Sequence, residues 1–126
     1  MERKQWLEIF STINAEDESN VIEKIKEGLK EKDEGEYEKW KRANFGVDYQ
    51  FECKGYKFTL LYFAAEKGYK NVVNALIDKG ADVHAEDKNG KTPLHLAIFK
   101  NKENVVELLS QKGAKVDATI PLYGAI

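Results

Sequence analysis

The side chains most able to do chemistry in this sequence are one cysteine, Cys53, and two histidines, His84 and His95. A cysteine beside a histidine could act as a nucleophilic dyad, but no glycine-rich oxyanion loop lies near Cys53, so a buried or half-buried structural thiol is favoured. His84 stands close in sequence to Asp82 and Asp87, yet this spacing matches no metal-ligand pattern. Phosphate-loop, zinc and dinucleotide motifs are absent as well. The sequence therefore predicts a protein that is not an enzyme and that holds no cofactor or metal.

The composition indicates a single domain in a reducing compartment. A chain of 126 residues can bury a core without disulfides or a structural metal, and its one cysteine cannot form an internal bridge. Residues 1–16 are charged at both ends of a short apolar run, which fits neither a secretory signal nor a membrane span. The 20 basic and 22 acidic residues are interspersed, which argues against a nucleic-acid partner. We therefore expect a cytoplasmic protein that binds neither nucleic acid nor membranes.

Apolar residues at helical spacing predict three helices before residue 48. The first covers residues 3–13, the second begins at an Asn20 cap and runs to Lys32, and the third covers residues 34–44. Gly46 is expected to take the left-handed conformation that closes the third helix.

A long loop with alternating aromatic residues, residues 49–57, connects these helices to the rest of the chain. Its Lys54-Gly55 dipeptide indicates a hairpin turn. Because alternation allows only one face to be buried, we expect Phe51 in the core and Tyr56 exposed.

From Phe58 onward the chain repeats itself with a period of 33 residues. The period is visible in the pairs Thr59 and Thr92, Leu61 and Leu94, Ala64 and Ala97, Leu76 and Leu109, Gly80 and Gly113, and Ala85 and Ala118. In each unit the threonine can cap a helix, and Pro93 suits the first helical position because no amide hydrogen is missed there. The residues that best tolerate a positive φ stand where the chain must turn, at Gly68, Gly80, Asn101 and Gly113. Each unit is therefore predicted to contain two helices bounded by tight turns.

The run GADVHAEDKNGKTPLHLA, residues 80–97, resembles the ankyrin repeat, and the resemblance covers residues 58–118. In that family each repeat is a pair of antiparallel helices followed by a projecting hairpin finger, and the repeats stack into a curved solenoid. The resemblance implies an all-α ankyrin-repeat solenoid that forms one domain over residues 1–126, in which His95 ties the first helical turn to Thr92. Its predicted parts are a helical N-terminal cap or degenerate repeat (1–48), a long finger loop (49–57), two repeats (58–90 and 91–118) and a truncated repeat start or C-terminal cap (119–126).

Two parts of the chain depart from the family pattern. In the first repeat, Tyr62 replaces the histidine of the motif. Further upstream, Gly46-Val47-Asp48 echoes Gly80-Ala81-Asp82, which leaves a degenerate repeat and a simple cap equally open. As a cap, the first helix would cover the end of the stack with Trp6 and Phe10.

The resemblance also implies where a partner binds, because family members usually use the finger tips and the inner face of the first helix of each repeat. The candidate contact residues at these motif positions are Glu86, Lys88, Asn89, Lys91, Phe99 and Lys100 in one unit, Phe58, Glu66 and Lys67 in the other, and Tyr56 in the long loop. Asp87 belongs to the turn motif, which implies a structural role. Phe99 stands where the other repeat has Glu66, so the stack does not require an apolar residue there. It is either an exposed interface anchor with a rim of lysines or a residue that packs on the C-terminal segment near Tyr123.

These features together predict a protein–protein interaction module without catalysis, which docks a protein partner on its finger tips and concave helix face. Two alternatives stay open: an N-terminal binding domain of a longer effector or enzyme, and a structural repeat that associates with itself, although a monomer is favoured. The bias toward Lys, Glu, Asn and Ile resembles that of ankyrin proteins of intracellular bacteria that act on host proteins.

Overall fold

The structure is a computed structural model that describes residues 3–14, 20–53, 55–87 and 89–113. Within these ranges the chain is mostly helical, with one short antiparallel hairpin. The elements are α1 (Arg3–Asn14), α2 (Val21–Lys32), α3 (Glu34–Arg42), β1 (Phe51–Cys53), β2 (Tyr56–Phe58), α4 (Leu60–Lys67), α5 (Lys70–Asp78), α6 (Pro93–Phe99) and α7 (Glu103–Gln111). The predicted third unit, residues 119–126, lies outside the described residues.

The 33-residue period corresponds to two stacked helix pairs. Helix α4 packs on α6 and α5 packs on α7, while α4–α5 and α6–α7 form the pairs within each repeat. Val72 and Leu76 of α5 are fully buried, and so are their counterparts Val105 and Leu109 of α7. Equivalent apolar residues therefore form one continuous core between the repeats, as repeat stacking requires.

Threonine caps begin the first helix of both repeats. Thr59 Oγ1 accepts a hydrogen bond from the amide of Tyr62 at 3.1 Å, and Thr92 Oγ1 accepts one from the amide of His95 at 3.3 Å. Both threonines have an extended backbone, with ψ of 165° and 170°. Asn20 precedes α2 with a ψ of 34°, and its side chain makes no capping hydrogen bond. The cap predicted for Asn20 is therefore wrong, because the extended backbone of the two capping threonines is missing there.

Positive φ angles occur at the predicted turns of the repeats. They are 77° at Gly68, 92° at Gly80, 57° at Asn101 and 95° at Gly113. Each of these residues follows a helix of one repeat and lets the chain reverse direction without a steric penalty that most side chains would incur.

The end of α3 differs from the prediction. Asn44 and Phe45, rather than Gly46, have positive φ angles, of 61° and 50°. The amide of Phe45 donates to the Trp40 carbonyl at 3.0 Å, and the two rings pack edge to face with centroids 5.2 Å apart. Trp40 in turn donates its indole N–H to the Gly46 carbonyl at 3.0 Å. Aromatic packing and hydrogen bonds thus offset the strain of two left-handed residues.

The N-terminal helices cover one end of the repeat stack. Helices α1 and α2 both pack on α5. Trp6 and Phe10 of α1 are buried, with ring centroids 5.4 Å from Phe58 and 5.2 Å from Phe63, respectively. The predicted use of Trp6 and Phe10 as a cover is confirmed, and so is the burial of Phe51.

The echo between Gly46-Val47-Asp48 and Gly80-Ala81-Asp82 corresponds to a direct contact. The amide of Asp82 donates to Asp48 Oδ1 at 2.9 Å, across 34 residues of sequence. The turn after α3 therefore lies against the turn after α5, in the way that consecutive turns of a solenoid stack.

No helix in the described ranges has the length and apolarity needed to cross a membrane. The longest ones, α1 and α2, have 12 residues each.

Candidate protein-binding surface

Helix α6 is fixed at its start by a reciprocal pair of hydrogen bonds. The amide of Thr92 donates to His95 Nδ1 at 3.0 Å, and Thr92 Oγ1 accepts from the amide of His95. Because Nδ1 accepts a hydrogen bond from an amide, this arrangement selects the tautomer that carries its proton on Nε2. His95 is buried, and Pro93 occupies the first turn. His95 thus has a structural role and gives α6 a defined orientation.

The finger, residues 82–91, ends in a tight turn held by Asp87. Its Oδ1 accepts from the amides of Asn89 at 2.8 Å and Lys91 at 3.0 Å, and the Asp87 amide donates to the Lys91 carbonyl at 2.9 Å. Gly90 supplies the positive φ, of 79°, that this turn requires. These hydrogen bonds confirm the structural role that the resemblance implies for Asp87. They also fix the backbone of Lys91.

Tyr62 links the finger to the first repeat. Its hydroxyl group donates to Oδ2 of Asp87, and its side chain is buried in α4. Burial alone would raise the pKa of Asp87, but the hydrogen bonds from Tyr62, Lys91 and Asn89 outweigh it, so the pKa lies below its ordinary value of 3.8. Asp87 is therefore ionised near neutral pH and binds three donors from two repeats.

Phe99 lies at the end of α6 with 57% of its surface exposed. It is the one large hydrophobic side chain that is exposed among the residues that the structure describes. Lys91 Nζ lies 5.3 Å from the centroid of its ring, and Lys100 Nζ lies 5.8 Å from it. The finger and the end of α6 thus form a single small patch, in which two ammonium groups lie near an exposed ring. We call Lys91, Phe99 and Lys100 the Phe99 patch.

The predicted contact residues differ in exposure. Within the Phe99 patch, Lys100 is exposed and Lys91 is half-buried, and of the other residues Glu86 and Asn89 are exposed, whereas Glu66 and Lys67 are half-buried. Glu66 and Lys67 are the last two residues of α4. One period later, Phe99 is the last residue of α6 and Lys100 follows it. Lys88, the Tyr56 side chain and Tyr123 lie outside the described parts of the structure, so their predicted contacts remain predictions.

Phe58 does not belong to the binding surface, and its prediction as a contact residue is wrong. It is only 7% exposed, and its ring packs on Trp6 and Phe63 at centroid distances of 5.4 and 5.6 Å. The reason is the register of the hairpin, in which Phe58 pairs with Phe51. A two-residue turn at 54–55 already implies this pairing, so the assignment of Phe51 to the core predicts the same for Phe58.

Tyr62 is the residue that sequence reasoning missed as a determinant of the surface. Its signal was the tyrosine in place of the motif histidine, since a longer side chain with a terminal hydroxyl can reach the neighbouring finger. The sequence could not show that Asp87 would be within that reach.

The stacked helix pairs, threonine caps and aspartate-held turn define a helical repeat protein. The family described as Ankyrin repeats (3 copies) matches residues 23–120, and the chain belongs to the ankyrin repeat family. This match begins within α2 and so includes residues upstream of the two clear repeats. Ankyrin repeats are protein-interaction modules.

Individual relatives align with short parts of the chain. Alpha-latrocrustotoxin-Lt1a of Latrodectus tredecimguttatus is 57% identical over 35 residues, which is 28% of this chain and 2% of the toxin. A protein named as an ankyrin repeat protein in Rickettsia bellii (strain RML369-C) is 50% identical over 40 residues, 32% of this chain and 17% of that protein. The NF-kappa-B inhibitor cactus of Drosophila melanogaster is 46% identical over 39 residues, 30% of this chain and 8% of cactus. The aligned region thus spans less than a fifth of each of these relatives.

Proposed function

We propose that this chain is a docking module without catalysis, which binds a protein partner on its finger and on the concave face formed by α4 and α6. The observation that carries the proposal is the exposure of Phe99, 57%, in a chain whose other large apolar side chains, among the described residues, are at least partly buried. A solvent-exposed aromatic ring with a polar rim is typical of an interface anchor.

The surface around Phe99 is held in place before a partner arrives. Thr92 and His95 fix the start of α6, and Asp87 fixes the backbone of Lys91. A surface that needs little ordering loses little conformational entropy on binding, so a small number of contacts can support a useful affinity.

Affinity capture from cytosol, with retained proteins identified by mass spectrometry, tests the proposal. The bait proteins are the intact chain, a Phe99→Ala/Lys91→Ala variant, and a Glu107→Ala control, whose exposed side chain lies on α7, the second helix of its repeat. We expect one or more proteins to be retained by the intact chain and the control and lost from the double variant, at equal thermal stability. Retention of the same proteins by all three baits would contradict the proposal.

A second candidate is that this unit is the binding part of a longer effector or enzyme. It is supported by the relatives, since the aligned region spans only 2% to 17% of the three proteins described above. One of them is named as an inhibitor of another protein, NF-kappa-B, which agrees with a role in binding. The sequence of the complete gene separates the two candidates.

A further inference from the structure

The two lysines of the Phe99 patch have no carboxylate partner among the described residues. Lys32, Lys26 and Lys112 form ion pairs with neighbouring acids, but Lys91 and Lys100 form none with any described residue. Their ammonium groups instead lie against the ring of Phe99. The patch therefore combines an exposed apolar ring with two positive charges that form no ion pair with the residues that the structure describes.

The nearest acids of the finger do not neutralise these charges directly. Asp87 faces Lys91 closely enough to be influenced by its charge, but the carboxylate accepts hydrogen bonds from Tyr62 and from the amides of Asn89 and Lys91. Glu86 is exposed, and its Oε1 lies 3.7 Å from the position of a Cβ at Gly90. Neither carboxylate forms an ion pair with Lys91.

The charges restrict which partner can cover Phe99. Contact with the ring removes water from the adjacent ammonium groups, and this desolvation is unfavourable unless the partner supplies an opposite charge. A partner with lysine or arginine at this place would be repelled, so the patch discriminates between partners by the sign of their charge. An apolar partner segment without acids would leave both ammonium groups partly desolvated and unpaired.

We propose that the Phe99 patch binds a linear acidic segment of a partner protein, in which Asp or Glu lies next to an aromatic or large aliphatic side chain. This inference rests on the docking function proposed above and names the chemistry of the partner. The apolar side chain contacts the ring of Phe99, and carboxylates pair with Lys91 and Lys100. Since both ammonium groups lie within 6 Å of the ring centroid and consecutive Cα atoms are about 3.8 Å apart, the acids stand within one or two residues of the apolar side chain.

Selection from a displayed library of random short peptides tests this inference without a known partner. The intact chain should enrich peptides with Asp or Glu within two residues of Phe, Trp, Tyr, Leu or Ile. A Lys91→Gln/Lys100→Gln variant should bind a selected synthetic peptide about tenfold more weakly, and the difference should shrink as ionic strength rises. A Lys91→Glu/Lys100→Glu variant should instead enrich peptides with Lys or Arg beside the apolar residue. Equal thermal unfolding of these chains shows that the changes act on binding.

The outcomes separate this inference from the proposed docking function. Selected peptides that need Phe99 but show no acidic bias would overturn the acidic-segment inference and leave the docking function in place. Peptides that bind a Phe99→Ser variant as well as the intact chain would overturn both. Failure to select any peptide would also overturn the inference, because it states that a linear segment suffices.

Discussion

Replacing Tyr62 by phenylalanine removes the hydrogen bond that links the first repeat to the finger and keeps the buried ring. The hydroxyl group donates to the ionised carboxylate of Asp87, and a net hydrogen bond to a charged group contributes about 1.5–3 kcal/mol when it is well buried. Asp87 is only half-buried, so solvent screening reduces the expected loss to about 1 kcal/mol. Urea unfolding of the two chains near neutral pH measures this difference.

The pH dependence of the same substitution identifies the cause of the loss. In the folded chain the pKa of Asp87 lies below its ordinary value of 3.8, so the stabilisation is fully present above that value and disappears as the pH falls through the folded pKa. The difference between Tyr62→Phe and the intact chain should therefore shrink below about pH 4. Tyr37→Phe is the control, because the structure shows no hydrogen bond of the Tyr37 hydroxyl with any described residue. A loss of equal size at neutral and acid pH would refute the reasoning and assign the effect to packing.

Three further predictions concern parts of the fold that support the surface. Phe99→Ala should change the free energy of unfolding by less than about 0.5 kcal/mol, because the ring is exposed. Phe51→Ala empties a fully buried site and should lower the free energy of unfolding by about 3–5 kcal/mol. Equal losses would show that Phe99 is a core residue. Gly68→Ala should lower the free energy of unfolding, measured by denaturant titration, by about 1–2 kcal/mol. The φ angle there is 77°, and the new Cβ would lie 2.9 Å from a lysine side chain of the next repeat. An unchanged free energy of unfolding would contradict the left-handed turn. Thr92→Ala should cost about 1 kcal/mol and Asn20→Ala roughly nothing, since only the threonine makes a capping hydrogen bond. Equal melting temperatures of these two variants would contradict the assignment of the caps.

Most of the repeat architecture could be predicted from the sequence, because short-range rules determine it. The 33-residue period can be read directly from the sequence, and the threonine caps and the residues with positive φ depend on neighbours within a few positions of the chain. Asn101, for example, has its positive φ of 57° at the place where the other repeat has Gly68. The end of α3 was mispredicted because its left-handed residues depend on the contact between the rings of Trp40 and Phe45, which no local rule contains.

The geometry of the candidate surface is less predictable from the sequence, because it depends on contacts between elements. Motif position names Lys91, Phe99 and Lys100 as candidate contact residues, but the distances that make them one patch come from the packing of the finger beside α6. Phe58 was assigned to the surface by motif position alone, whereas the pairing of the two hairpin strands places it in the core. Where a motif and a strand register disagree, the register decides, because it determines which face of the strand is buried.

The replacement of histidine by tyrosine in the first repeat changes what this motif position does. His95 forms its hydrogen bonds within its own helix turn, so it stabilises one repeat. The amide of Tyr62 likewise donates to its capping threonine, Thr59, but its hydroxyl group reaches Asp87 of the finger that precedes the next helix pair. Asp87 accepts a hydrogen bond from the amide of Lys91. The position of Lys91 therefore depends on packing in the neighbouring repeat as well as on the turn itself. In the docking function proposed above, the charges beside Phe99 select the partner, so a buried side chain in one repeat would contribute to the selectivity of a surface on the other.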